Sequence, residues 1–250
     1  MHYLALLLGP EGGPDATPGT PEFDAEVERY AAFDAAAGAV VAGGAALAGT
    51  AEAVRLTRQG GAGSAGGAGG GAAAGAVVAT DGPFAESAEV VGGFYVFDVA
   101  DLDAAIDWAR QLPAVSTGAV ELRPAAQYFP HAEPGARWWV ALLWERPEAV
   151  IGPDSPEWDA AVAEHGAFAE AAGSALTGGI ALHPPGTATT LRAPAGELLL
   201  TDGPFAEAAE VIDGLYLFTA PDRAAAVELA AQIPLGPTGA TEVRPVLAFE

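Results

Sequence analysis

Seven residues, Thr-Asp-Gly-Pro-Phe-Ala-Glu, occur twice in the 250-residue chain, at 80–86 and again at 201–207, and each run is followed by a further glutamate, Glu89 or Glu210. An aspartate in such a turn has two uses. It accepts backbone N–H groups while Gly82 or Gly203 supplies an unusual φ and Pro83 or Pro204 starts the next turn over Phe84 or Phe205. Alternatively, the Asp81 or Asp202 carboxylate faces a pocket as a base or a substrate anchor. Arg123 and Arg244 stand beside proline near the ends of two similar segments, VELRP and TEVRP. They could hold a substrate carboxylate, or pair with Glu121, Glu242 or a loop carboxylate. His2, His131 and His183 show no metal-ligand spacing, so no metal is expected. Trp138, Trp139 and Trp144 read as intersheet packing more readily than as a stacking platform.

Composition narrows the chemistry. The chain has no Cys, which removes thiolate nucleophiles, disulfides, iron–sulfur clusters and Cys-ligated zinc. Its ten basic residues are all Arg, which removes a Schiff-base lysine and the lysine of a phosphate loop. The formal net charge is −23, so a nucleic acid or an anionic membrane is not an expected partner. The one G-x-G-x-x-G spacing, at Gly61, Gly63 and Gly66, sits inside a Gly-rich tract with no strand feeding a helix; no cofactor is expected. Residues 1–9 are apolar but too short for a membrane span and lack a positive flank, which places the protein in the cytoplasm by default.

The elements that must position these residues come in duplicate. Residues 80–129 align without gaps onto 201–250, identical at about half the positions, and Tyr3–Leu7 matches Trp139–Leu143. The two repeats are 1–130 and 137–250; the chain up to Pro130 carries −11, and the rest, with Glu133 of the linker, carries −12. They join through Pro130–Ala136, a short linker with two Pro and one Gly. A 16-residue Gly-rich insertion, near 59–75, lengthens a hairpin of the first repeat only. Within each repeat the pattern reads as an apolar strand at Leu4–Leu8, then a helix from Pro21 on which Phe23, Val27, Tyr30 and Phe33 share a face. A Gly-Gly strand follows at Val40–Leu47 or Leu176–Leu182. Next come a hairpin, clearest at Ala188–Ala193 and Glu197–Thr201, and a strand at Phe94–Phe97 or Leu215–Phe218. An Asp-capped helix, Asp101–Leu112 or Asp222–Ile233, leads to the last strand. This is an α+β order close to a ferredoxin-like unit.

The motif with its sequel, DGPFAE, then Gly92-Gly93-Phe94-Tyr95 or Asp213-Gly214-Leu215-Tyr216, then Val120–Pro124 or Thr241–Pro245, resembles the DGPF group of YCII-related proteins. So does the upstream run Pro184–Arg192. The resemblance implies two ferredoxin-like repeats closing into a pseudo-dimeric α+β barrel within one chain. A monomer would then suffice, with a homodimer as the alternative. It also implies a His–Asp pair of catalytic type. The motif's usual lysine is Ala88 and Ala209 here, and the first-helix position is Tyr30 in one repeat and His165 in the other. Only the second repeat could therefore assemble the pair, from His165 and Asp202, with Arg192, Phe205, Glu207 and Arg244 as ligand-binding neighbours. Tyr30 and Asp81 would line a divergent cleft. A carboxylate bonded to imidazole fixes its tautomer and makes a base near neutral pH; a His165 satisfied by a backbone carbonyl is the plain alternative. Two functions follow: a small-molecule enzyme of lyase or hydrolase type, or a noncatalytic ligand-binding or regulatory module of the kind linked to sigma-factor-type regulators.

Overall fold

The structure, a computed structural model, describes residues 1–12, 19–58, 76–83, 89–131, 137–205, 209–236 and 238–248. The Gly-rich insertion expected at 59–75 lies outside the described residues. The first repeat contributes β1 (His2–Gly9), α1 (Pro21–Ala37), β2 (Val41–Leu47), β3 (Val54–Arg58), β4 (Val77–Asp81) and β5 (Val90–Asp98). It ends with α2 (Leu102–Ala109), the short α3 (Ala114–Thr117) and β6 (Ala119–Phe129). Among the described residues the second repeats the order without a counterpart of α3: β7 (Trp138–Glu145), α4 (Trp158–Ala172), β8 (Leu176–Leu182), β9 (Thr189–Arg192), β10 (Leu199–Asp202), β11 (Val211–Thr219), α5 (Arg223–Ala230) and β12 (Ala240–Leu247).

Local chemistry sets the boundaries. Thr20 caps α1 by accepting from the Phe23 N–H, and Pro21 occupies the first turn, where a missing N–H costs nothing. Asp101 and Asp222 cap α2 and α5 in the same way, through Ala104 and Ala225. The continuous apolar runs of β1 and β7 follow from burial on both faces. Leu4, Leu6, Val140 and Leu142 point into one apolar cluster, while Tyr3, Ala5, Trp139 and Ala141 pack under helices on the other side.

Eight strands close into an antiparallel barrel in the order β1-β5-β2-β12-β7-β11-β8-β6, with β6 returning to β1. The interior is filled by Leu4, Phe94, Val140, Leu142, Leu215 and Leu217 among others, so the barrel is a packed core. Each such Leu contributes about 1.5–3 kcal/mol by burial. Outside it, α1 and α2 bury Phe33, Ala105 and Ala109 against the first repeat's wall, and α4 and α5 bury Phe168, Ala226 and Ala230 against the second's.

The remaining strands are exchanged. The β3–β4 hairpin of the first repeat pairs with β12 of the second, with Val54 opposite Val243. The β9–β10 hairpin of the second repeat pairs with β6 of the first, with Thr189 opposite Leu122. Leu191 therefore sits in the first repeat's core, and Val54 and Leu56 in the second's.

Candidate functional site

The exchange decides where each motif aspartate lies. Asp202, the last residue of β10, faces Thr189, which continues across the wall through Leu122 and Ala5 to Tyr95. Asp81 faces Val54, and its row runs through Val243 and Ala141 to Tyr216. Each aspartate is thus four strand spacings, roughly 19 Å, from the central tyrosine of the other repeat. Asp202 is exposed and shares a wall with Tyr30 and Tyr95, whereas His165 stands over the opposite wall on α4. Among the described residues no hydrogen bond or ion pair joins His165 to Asp202. Asp81 instead accepts from Arg223 at the start of α5, at 2.5 Å.

Arg192 and Phe205, also expected to bind ligand, instead make contacts between the two repeats. Arg192 pairs with Glu89 at 3.1 Å and lies over the Phe205 ring at 4.0 Å. Its counterpart Arg55 pairs with Glu210 at 2.5 Å, so the two hairpins are tied down by reciprocal bridges to the opposite motif segments. The Phe205 N–H donates to Glu121 of β6 at 2.9 Å. Gly203, with φ of +98°, takes the left-handed turn expected of the motif, but Gly82 in the first copy does not; glycine is required there because a Cβ would lie 2.0 Å from the Thr50 carbonyl oxygen. Glu207 lies outside the described residues. Tyr30 stacks near Tyr95, with ring centroids 6.4 Å apart.

Arg244 is 1% exposed, and Arg123 is 0% exposed. Arg123 donates to Ile212 and His183 carbonyls at 3.1 and 2.5 Å and pairs with Glu121 at 3.3 Å. Arg244 donates to the Ala48 and Val91 carbonyls and pairs with Glu242 at 3.1 Å. Each arginine grips the strand ends of the other repeat, which places both among the packing contacts between repeats. Burial lowers both guanidinium pKa values, and each glutamate partner opposes that shift.

One cavity combines volume with titratable groups. It measures about 580 Å³ and lies between α4 and the outer side of β7, β11 and β8, reaching the surface beside Phe129, which is 56% exposed. Apolar walls come from Leu143, Ile151, Trp158, Val162 and Leu176, and polar atoms from Glu145, Glu164, His165, Asp213 and Tyr216. His165 Nδ1 and the Tyr216 hydroxyl are 2.9 Å apart, with the rings tilted at 32°. Burial pushes the imidazole pKa down, against an upward pull from Glu164, and pushes the Tyr216 hydroxyl up to about 12. Both groups are therefore neutral at pH 7.

Backbone packing fixes that tyrosine. A Cβ on Gly179 would lie 2.8 Å from Tyr216 Cδ1, so the ring lies against bare backbone and only glycine fits there. Asp213 occupies the register shift between Ile212 and Gly214 that bends β11. Burial raises its carboxyl to about 6, opposed by the Arg123 charge and reinforced by Glu145. Glu145 is held in place by the Thr238 hydroxyl and, at 2.9 Å, by the Arg146 N–H.

Tyr216, Asp213 and Glu145 were not singled out from the sequence. The signal was present: the residues aligned with His165, Asp213 and Glu145 in the first repeat are Tyr30, Gly92 and Gly9. Three polar or charged groups around one cavity thus belong to one copy alone, while Tyr216 is shared as Tyr95, which hydrogen-bonds Asp34 instead. Among the described residues no cluster of three His, Asp or Glu is disposed to hold a metal, and no helix is long and apolar enough to cross a membrane.

Comparison with known sequences agrees with this duplication. An uncharacterized protein of Rhizobium meliloti (strain 1021) is 51% identical over 55 residues, which is 21% of this chain and 44% of that protein. The chain therefore spans less than half the length of that relative. The YCII-related domain matches twice, over residues 16–128 and 138–250, and the matches cover most of the chain. With two matched copies closing one barrel, the chain belongs to the YCII-related family.

Proposed function

We propose that the second repeat is a small-molecule site of lyase or hydrolase type, in which His165 moves a proton and Tyr216 orients it. The reading rests on one observation, the 2.9 Å contact between His165 and Tyr216 on the wall of a cavity of about 580 Å³. A neutral imidazole has one donor and one acceptor nitrogen. If Nδ1–H donates to the tyrosine oxygen, Nε2 is the base; if the phenol donates to Nδ1, Nε2–H is the donor. The hydrogen bond thus sets which task the ring performs. Asp213 lines the same cavity and changes charge near pH 6, so above that pH it offers the substrate an anionic anchor beside the base. The largely apolar walls suit a substrate of one ring or a short chain. In this reading each repeat is a ferredoxin-like unit, the first serves as the scaffold that completes the barrel, and the protein works in the cytoplasm.

A noncatalytic ligand-binding or regulatory module, linked to sigma-factor-type control, is the second reading. The exposed leucines Leu198, Leu199 and Leu200 beside and along edge strand β10 favour it, because an apolar strand edge invites a partner.

Solvent exchange separates the two. Small molecules that stabilise the protein in a thermal-shift screen would be incubated with it in D2O and followed by proton NMR. Proton transfer predicts loss of a ligand C–H signal with wild type, slowed about 100-fold by His165→Gln. Ligands that bind without any exchange would leave the noncatalytic reading standing.

A further inference from the structure

Building on that cavity, we infer that its ligand is a small organic cation, an amine carried on an apolar or aromatic body. The ionisable side chains that line it, among the described residues, are Glu145, Glu164, Asp213, His165 and Tyr216, and no arginine is among them. With His165 and Tyr216 neutral, the lining presents only negative formal charge. The nearest cation to Asp213, Arg123, turns its two Nη atoms to Ile212, His183 and Glu121 and makes no hydrogen bond to Asp213, its buried Nε being left without a partner among the described residues.

Among the described residues nothing hydrogen-bonds the Asp213 carboxylate, although it is half-buried on the cavity wall. A mostly desolvated carboxylate without a donor is costly, and a ligand ammonium supplies both the donor and the charge. Trp158 and Tyr216 line the same space as aromatic rings, which attract cations and have no use for anions. The first repeat has Gly92 and Gly9 where Asp213 and Glu145 stand, so these two carboxylates belong to the copy that also carries His165. A net charge of −23 draws cations toward the cavity mouth and repels carboxylates and phosphates.

Three nearly isosteric probes test this on the full chain by titration calorimetry at pH 7.5: 2-phenylethylamine, 2-phenylethanol and 3-phenylpropanoate. The amine is expected to bind at least about tenfold more tightly than the alcohol, with the carboxylate weakest. That preference should vanish in Asp213→Asn. If the Asn variant does not fold, Asp213→Gly copies the first repeat's own residue and replaces it. The alcohol binding as tightly as the amine, in a manner lost in Trp158→Ala, would overturn the cationic ligand while leaving the cavity as the binding site. Failure of all three probes to bind would overturn both. An amine preference that survives Asp213→Asn and Glu145→Gln would overturn the assignment of these carboxylates.

Discussion

Asp213 keeps its proton to about pH 6 because burial disfavours the carboxylate more than Arg123 favours it, and Glu145 adds a second negative charge. A carboxyl whose pKa is higher in the folded than in the unfolded chain contributes stability that is complete below the unfolded value, near 4. That contribution is lost as pH rises through about 6. Asp213→Asn should therefore melt at the same temperature as wild type near pH 4 and at a higher temperature above pH 6. Carboxyl-carbon NMR should show one Asp midpoint near 6 that disappears in the variant. Tyr216→Phe isolates a second contact. The ring stays on Gly179 and the fold is kept, but His165 loses its hydrogen-bond partner. A net hydrogen bond of about 0.5–1.5 kcal/mol corresponds to a roughly 2- to 13-fold loss in His165-dependent exchange, read by NMR with circular dichroism unchanged.

The strand carrying Asp202 shows what a single sequence cannot deliver. Asp202 and His165 fall in one repeat, and the aligned motif suggested that they meet. Hairpin β9–β10 instead pairs with β6 of the other repeat, and no local pattern encodes which copy a hairpin joins, because both copies offer the same final strand. What periodicity does encode was legible, the strand and helix order and the Asp caps, while the closure of two repeats into one barrel followed only from the resemblance to YCII-related proteins. The Gly-Gly pair in β8 reads from the sequence as a bulge or a close approach, with nothing to say which ring approaches. Gly179→Val tests that reason. Its side chain collides with the Tyr216 ring and adds bulk under α4, so we expect overpacking of about 1–3 kcal/mol. The variant should melt lower and lose His165-dependent binding together. By contrast, a double-mutant cycle on Arg192 and Glu89 should return only about 0.2–1 kcal/mol, since the arginine side chain is 42% exposed.

Across the whole molecule, buried arginines and exchanged hairpins make each repeat depend on the other. Arg244 of β12 grips Ala48 and Val91 of the first repeat, and Arg123 of β6 grips His183 and Ile212 of the second. Removing either guanidinium abandons two carbonyls and leaves Glu121 or Glu242 buried without its partner. Arg244→Ala should cost about 3–5 kcal/mol, measured by urea unfolding. Pairing Arg244→Met with Glu242→Leu should recover much of that loss, because an apolar pair of similar volume removes the buried charges together. The same dependence governs a chain cut in the linker. Fragment 1–130 lacks the β9–β10 hairpin that covers β6, and fragment 137–250 lacks the β3–β4 hairpin that covers β12. Each fragment also leaves open two barrel seams, β2 with β12 and β6 with β8. Co-expressed fragments should therefore associate one to one and restore the site, while 137–250 alone, which carries its own hairpin, final strand and arginine, should pair with a second copy of itself. That homodimer would hold two His165 cavities, so titration should give one ligand per fragment chain, against one per full-length chain of twice the length. Light scattering that finds either fragment folded as a monomer would contradict the exchange.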